Sequence, residues 1–179
     1  ASWRYKMGSR SLLENLYGKE NSNTDNQDEN TGFDDEENDE KFYSDCNFEN
    51  LETIITILLE HLKDQDTSIR WTAAKGIGKI TGRLTLDFAD QIVEDILKCF
   101  DENETDSSWQ GGCLALAELC RGGLLLPSRL DEVMPKLKQA LLYDINRGNH
   151  SIGAHVRDAA CYVVWSFARS FVKDIMKPH

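Results

Sequence analysis

The sequence repeats itself at intervals of 40 and 47 residues, and this repetition restricts the chain to few folds. Three similar stretches carry, in the same slot, Ile69-Arg70, Trp109-Gln110 and Val156-Arg157. The positions that follow are small or apolar in each stretch: Ala73-Ala74, Cys113-Leu114 and Ala160-Cys161. Intervals of this size are typical of stacked helix pairs, each of which buries its apolar face against the next pair.

Apolar residues around the slots follow the spacing of amphipathic helices. Leu51, Ile54, Ile55, Leu58 and Leu62 give this rhythm before the first slot. Pro135 falls inside the predicted first helix of the third pair, and Asp66 precedes the first slot; both features fit HEAT repeats. We therefore predict an all-α fold, a HEAT or armadillo-type α-solenoid of antiparallel helix pairs at about 48–84, 86–122 and 128–173, within a repeat region of 46–179.

The sequence also predicts some local features of these helices. Asp106 and Ser128 are expected to cap the helices that begin beside them, and Gly122-Gly123 is expected to end the helix after Asp106. Ile69 and Val164 are expected to point inward on their second helices.

The first 45 residues have a different character. Residues 1–17 are predicted to form the second helix of a truncated preceding repeat, so we expect the chain to be a section of a longer solenoid. Residues 18–45 contain few aliphatic side chains, and positions 20–45 alone hold eleven acidic residues and one Lys. Such a segment cannot bury enough apolar surface to offset its conformational entropy, which predicts a disordered acidic linker. It is either a solvated spacer or an acidic lure for a basic partner.

Composition and motifs argue against several classes of function. Net charge is −11 and no strongly basic stripe dominates, so nucleic-acid binding is not predicted. No apolar run reaches the length of a membrane span. The five cysteines form no CxxC pair, which favours reduced, buried thiols in a cytoplasmic protein. The glycines of 73–82 fit neither a P-loop nor a dinucleotide fingerprint, and they favour close helix packing. We predict no metal, no cofactor and no catalytic residue.

Basic residues recur on the predicted second helices, which normally line the concave face of a solenoid. An inner stripe for an acidic protein partner is predicted from Arg70, Lys75, Lys79, Arg83, Arg121, Arg157 and Arg169. The alternative is a solvated face with Asp–Arg ladders between repeats. Trp71, Trp109 and Trp165 are either core residues or aromatic anchors. The polar loop 143–154 is longer than its counterparts, so Arg147 and His150 are further candidates for partner contact.

The motifs themselves resemble one family. The segments that carry the resemblance are RWTAAKGIGKITGRL (70–84), WQGGCLALAELCRGGLLLPSRL (109–130) and YDINRGNHSIGAHVRDAACYVVWSFAR (143–169). They look like the middle HEAT-repeat section of the tubulin-specific chaperone D family, also called tubulin-folding cofactor D. The SWRYKMGSRSLLENL start and the acidic linker also fit that section. Generic HEAT repeats share neither GGCLALAEL nor GLLLPSRL.

The resemblance implies a non-catalytic protein that binds β-tubulin and the α/β-tubulin heterodimer during heterodimer assembly and disassembly. It also implies partnership with cofactors C and E and an Arf-like small GTPase, stimulation of tubulin GTP hydrolysis, and a cytoplasmic, cytoskeleton-associated location. The alternative function is a HEAT-repeat scaffold segment of a transport or phosphatase complex, which periodicity alone does not distinguish.

Overall fold

The computed structural model describes residues 48–147 and 150–176. The predictions for 1–17 and 18–45 lie outside the described residues. The chain divides into two units, Ala1–Thr56 and Ile57–His179, with the boundary inside the first described helix. Nearly all of the described structure belongs to the second unit, and the packing below is that of this unit.

Helices dominate the described residues, as predicted. The helices are α1 (Phe48–His61), α2 (Thr67–Thr81), α3 (Leu86–Leu97), α4 (Asp106–Arg121), α5 (Leu130–Leu141), α6 (Ala154–Ser170) and the short α7 (Lys173–Met176). Single 3-10 turns extend the end of α3 (Lys98–Phe100) and the start of α5 (Pro127–Arg129). The second helices α2, α4 and α6 lie side by side with α4 in the middle. We call the packing of α4 against α2 and the turn that precedes α2 (residues 62–66) the first joint, and the α4–α6 contact the second joint.

Short-range signals set the ends of these helices. The Asp66 carboxylate accepts a hydrogen bond from the Ser68 amide at 2.7 Å and so caps α2. Thr105 caps α4 through its hydroxyl, whereas Asp106, the residue expected to cap it, is the first residue of the helix. Gly123 has a φ of 71° and closes α4, with the Leu124 amide bonded to the Leu119 carbonyl. This closure is a Schellman motif, which requires a residue that tolerates positive φ.

Helix α4 is the centre of the core. Every residue from Ser107 to Ala117 is buried, and Leu119 and Cys120 are buried as well. Gly111 allows the first joint to close, because a Cβ there would lie 1.9 Å from the Leu62 carbonyl oxygen. The glycines of α2 also permit close packing, since a Cβ at Gly78 would meet the Glu118 Cβ at 3.1 Å. The packing interpretation of the glycine-rich stretch is therefore supported.

A β-hairpin interrupts the connection between α5 and α6. Strands β1 (Ile145–Arg147) and β2 (His150–Ile152) pair antiparallel, with Ile145 opposite Ile152. The sequence predicted a polar loop here and gave no indication of strands. Gly153 ends the hairpin with a φ of 151°, and a Cβ at this position would lie 2.4 Å from the Tyr143 carbonyl oxygen. Only glycine fits this position without strain.

Several details differ from the predicted helix faces. Ile69 and Val164 were expected to point inward but are exposed. Ser128 was expected to cap the helix of the third pair; instead Pro127–Arg129 forms a 3-10 turn whose start has no side-chain cap. Pro135 lies inside α5, as predicted. These differences move single side chains without changing the all-α solenoid architecture.

Candidate functional site

Arg70, the first candidate of the inner stripe, is buried inside the first joint. Its side chain is only 3% exposed. The guanidinium donates to Gln110 of α4 through both Nε and Nη2, the Nε bond being 2.8 Å long. Nη1 donates to the carbonyls of Asp64 and Gln65 at 2.5 and 2.9 Å. Arg70 therefore holds the turn before α2 against α4.

The prediction that Arg70 lies on an exposed stripe is wrong, since its donors are satisfied inside the protein. Burial lowers the pKa of this guanidinium, while the charges of Asp106, Asp64 and Asp66 act in the opposite direction. These carboxylates balance the buried cation. The partner of Arg70 in the next repeat is the side-chain amide of Gln110 and not an Asp carboxylate, so this residue is neither a solvated rung of an Asp–Arg ladder nor a candidate for partner contact.

Arg157 occupies the same repeat slot as Arg70 but has a different role. Its side chain is half-buried, and Nη1 donates to the Tyr143 carbonyl at 2.5 Å. This bond ties the start of α6 to the residue that leads into the hairpin. The Tyr143 ring also lies 5.1 Å from the Trp109 ring, centroid to centroid. Both contacts anchor the base of the hairpin to the helices.

Arg147 and His150 face each other as backbone partners near the closed end of the hairpin. Their side chains lie outside the described part of the structure. The proposal that they contact a partner stays a prediction. The anchored base means that the hairpin starts from a fixed position on the repeat surface.

Three other candidates form an exposed row along one side of α2 and the residues that follow it. Lys75 and Lys79 are spaced four residues apart on one face of α2, and Arg83 follows in the turn after the helix. All three are exposed, and residues 67–84 contain four basic and no acidic side chains. This side of α2 therefore presents positive charge to solvent.

A row of aromatic rings crosses from α2 to α6. The Trp71 ring lies 5.6 Å from the Tyr162 ring, which stacks on Trp165 at 5.8 Å. A cation lies over each end: Lys75 Nζ is 5.5 Å from the Trp71 centroid, and the Arg169 guanidinium is 4.9 Å from the Trp165 centroid. We call these five residues the aromatic–cation row.

Arg121 lies beside the middle of this row. Its Nη1 donates to the Tyr162 hydroxyl at 2.7 Å and pairs with Glu118 at 3.2 Å. The Tyr162 hydroxyl in turn donates to Glu118 at 3.0 Å. Burial raises the pKa of Tyr162, and the adjacent Glu118 carboxylate adds to the shift, so the phenol remains protonated at neutral pH. The network fixes the central ring while Arg121 itself stays exposed.

The tryptophans separate into two groups. Trp109 is buried and donates from Nε1 to the Asp101 carbonyl at 3.1 Å, so it is a core residue. Trp165 is 43% exposed, and Trp71 is partly exposed. Tyr162 was not among the residues predicted from the sequence. The signal was present, because Tyr162, Trp165 and Arg169 share one helical face by their spacing.

Among the described residues, the cysteines of α4 are buried and one histidine pairs across the second joint. Burial raises the pKa of Cys113 and of Cys120, the latter to about 12, so both thiols are protonated and unreactive. His155 pairs with Asp106 across the second joint at 3.0 Å. Among residues 48–147 and 150–176, no group of His, Cys, Asp and Glu is arranged to hold a metal ion. In the same ranges no helix has the length and apolar character that membrane crossing requires.

The fold and this surface define a helical-repeat protein of the armadillo and HEAT class. The sequence places it more narrowly: the family model described as "Tubulin-specific chaperone D-like, ARM repeats" matches residues 1–179, and the chain belongs to this family. The recognition of the family and the predicted fold class are thus confirmed. No solved structure matches the chain.

Curated relatives agree with the family assignment. A "Tubulin-specific chaperone D" of Dictyostelium discoideum is 51% identical over 123 residues, which covers 66% of this chain and 8% of the relative. A "Tubulin-folding cofactor D" of Schizosaccharomyces pombe is 32% identical over 141 residues, covering 71% of this chain and 13% of the relative. The chain therefore spans about a tenth of the length of these relatives. Their names describe a chaperone and a folding cofactor.

Proposed function

We propose that this chain is a section of a tubulin-folding cofactor and provides part of its surface for β-tubulin and the α/β-tubulin heterodimer. Two curated relatives are named for tubulin folding, which supports the choice of partner. The observation that carries the proposal is the exposed set of cations formed by Lys75 and Lys79 on α2 and Arg83 in the turn after it. Such a set attracts an acidic protein surface and steers its approach.

The wider role follows from the same assignment. In this proposal the protein acts in the cytoplasm, near the microtubule cytoskeleton, and does not itself catalyse a reaction. It cooperates with cofactors C and E and with an Arf-like small GTPase during heterodimer assembly and disassembly, and it contributes to the stimulation of GTP hydrolysis by tubulin. The described repeats supply a scaffold that holds the binding surface in a fixed shape.

Charge reversal on α2 tests the surface. We expect Lys79→Glu together with Arg83→Glu, in the whole protein, to weaken binding to purified tubulin by about tenfold or more, with a flatter dependence on salt. The matched control is Lys98→Glu together with Lys138→Glu, which changes the net charge equally at exposed positions on first helices or their extensions. Binding is measured by titration of labelled tubulin at several salt concentrations.

Two results contradict the proposal in different ways. Equal binding by the α2 variant and the control would remove this face of α2 from the interface. Failure of the unsubstituted whole protein to bind tubulin would remove tubulin as the partner. The GTPase role has its own measurement: phosphate release from tubulin, with the partner cofactors present and with or without the whole protein.

A further inference from the structure

The aromatic–cation row combines surface exposure with ordered aromatic rings and nearby cations, a combination that is unusual for core residues. Its three rings lie on the second-helix side of the repeats, and Trp165 remains 43% exposed. Because Trp71 belongs to α2 and Tyr162 to α6, the row runs across the helices and spans all three of the second helices. Exposed aromatic side chains in fixed positions are typical anchors of protein interfaces.

The rings are held in place from behind and from the side. Helix α4, which lies between α2 and α6, is buried over most of its length. The hydroxyl of Tyr162 is fixed by Arg121 and Glu118 of α4. Since the rings are already ordered, a partner that docks on them loses little affinity to ordering the surface.

The charges around the rings indicate the chemistry of the partner. Lys75 and Arg169 lie over the two end rings, and Arg121 lies at the middle ring. Glu118 is an acidic neighbour within the row's network, and it is paired with Arg121. Helix α2 adds Lys79 and contributes no acidic side chain between 67 and 84. Carboxylates that flank an apolar side chain complement this arrangement.

We propose that the aromatic–cation row is the docking site for an acidic, extended segment of a partner protein. An apolar or aromatic side chain of that segment contacts Trp165 and Tyr162, and its carboxylates pair with Lys75, Arg121 and Arg169. The row has four steps of between 4.9 and 5.8 Å, which at most about seven residues of extended chain would cover. The identity of the partner as tubulin rests on the proposed function. The acidic and apolar character of the docking segment is inferred from the residues of the row alone.

The first test uses a defined probe. A fluorescein-labelled peptide of repeated Glu-Glu-Phe triplets is titrated with the whole protein and followed by anisotropy. We expect binding that falls about tenfold or more with Trp165→Ala and about threefold or more with Lys75→Gln, whereas Trp165→Phe retains most of it. Peptides with Gln in place of Glu, or Ala in place of Phe, are expected to bind at least about tenfold more weakly.

Matched controls come from exposed positions outside the row. Val164→Ala truncates a neighbouring side chain that is also 43% exposed but lies outside the row, and Lys138→Gln removes an exposed charge on α5. Both are expected to bind the peptide like the unsubstituted protein. Circular dichroism confirms that each variant keeps its helices. Equal losses in the row variants and the controls would overturn the proposal.

Further outcomes separate this inference from the proposed function. If the peptide binds at the row but the whole protein does not bind tubulin, the row stands and the tubulin assignment fails. If tubulin binds and neither Trp165→Ala nor Lys75→Gln weakens it, while the peptide does not bind, the row fails and the tubulin assignment stands. Binding of the Gln peptide as tightly as the Glu peptide would overturn the acidic partner. Tighter binding of a short oligothymidylate than of the Glu peptide would also overturn the acidic protein partner, because it would favour a nucleic acid.

Discussion

In the first joint a cation is sealed between helices, whereas in the second joint the polar contacts lie near the surface. Arg70 reaches Gln110 in the interior, and Gly111 lets α4 approach the Leu62 carbonyl. The second joint uses the partly exposed pair His155–Asp106 and the Tyr162–Glu118 bond. The corresponding Arg157 turns back onto Tyr143. Residues at equivalent repeat positions thus have different roles: Arg70 joins two helices in the core, whereas Arg157 anchors the base of the hairpin.

The repeat pattern therefore determines where the helices lie, but it does not determine whether a side chain at a given repeat position is buried or exposed. The first joint depends on close backbone approach and buried hydrogen bonds, so it tolerates little change. The second joint is bordered by exposed rings and ion pairs, and these groups remain accessible to a partner. Substitutions in the first joint should therefore lower the stability of the chain more than substitutions at the edge of the second joint.

Gly111→Ala is expected to damage the first joint most. The added Cβ would lie 1.9 Å from the Leu62 carbonyl oxygen and 2.7 Å from its carbon, so the backbone must move. We expect a loss of about 3 kcal/mol in the free energy of unfolding, measured by urea denaturation. Gly82→Ala is the control, because Gly82 has a φ of −65° and an added Cβ would lie 3.4 Å from the nearest atom, the Gly78 carbonyl oxygen. A loss below about 0.5 kcal/mol for Gly111→Ala would show that the joint is loose.

Arg70→Met should cost about 2 kcal/mol, since it leaves Gln110 and the Asp64 and Gln65 carbonyls without their buried donor. Replacing Gln110 by Met as well should cost less than the sum of the two single changes, because both partners are then apolar. Denaturation of the two single variants and the double variant gives the coupling energy. Strict additivity would mean that the two side chains are not coupled.

Arg157→Met should cost only about 1 kcal/mol, because it removes one half-buried bond at the edge of the second joint. The effect should be local. Amide hydrogen exchange is expected to increase in 145–152 and to stay unchanged in α2 and α4. A stability loss equal to that of Arg70→Met would contradict the contrast between the two joints.

The smallest effect is expected at an ion pair on the outer side of the second and third pairs. Asp90 accepts two hydrogen bonds from Arg129, at 2.7 and 2.5 Å, and these lower the pKa of the carboxyl. A lowered folded-state pKa contributes stability above the unfolded pKa, and the contribution is lost as the pH falls through the folded value. Asp90→Asn should therefore cost about 1 kcal/mol or less at neutral pH.

The pH dependence distinguishes this ion pair from a neutral hydrogen bond. The stability difference between Asp90→Asn and the unsubstituted chain should shrink as the pH falls below about 4, the ordinary range of an Asp carboxyl. Denaturation at a series of pH values measures it. A difference that is constant down to the lowest pH at which the chain is folded would show that the charge of Asp90 is not what matters.

The fold was predictable from the sequence to a large extent, because helical periodicity and the repeat interval act over many residues. The turn at Gly123 and the cap at Asp66 could also be predicted, because glycine tolerates positive φ and an Asp side chain accepts a hydrogen bond from a free amide at a helix start. The hairpin was not. Its strands have three residues each, too few for a period of two to be recognised, and its geometry depends on contacts of Arg157 and Trp109 with Tyr143.

The candidate site was predictable only in part, because exposure depends on how helices pack. Lys75, Lys79, Arg83 and Arg121 are exposed, and their contact with a partner stays a prediction, whereas Arg70 is buried. Its four-residue spacing from Asp66 and its slot next to Gln110 of the following repeat indicated a ladder, yet spacing alone does not reveal burial. The Trp71–Tyr162 contact joins helices that are not consecutive, so it was accessible only from the structure.

The buried thiols of α4 have a practical consequence. Cys113 and Cys120 react with an alkylating reagent only when α4 separates from its neighbours, whereas the exposed Cys161 on α6 is modified in the closed state. Peptide-resolved mass spectrometry of a labelling time course would therefore measure the rate at which α4 separates from its neighbours. A partner that stabilises the packing of the repeats would slow the alkylation of Cys113 and Cys120. The alkylation rate of Cys161 would stay unchanged unless the partner covers that residue.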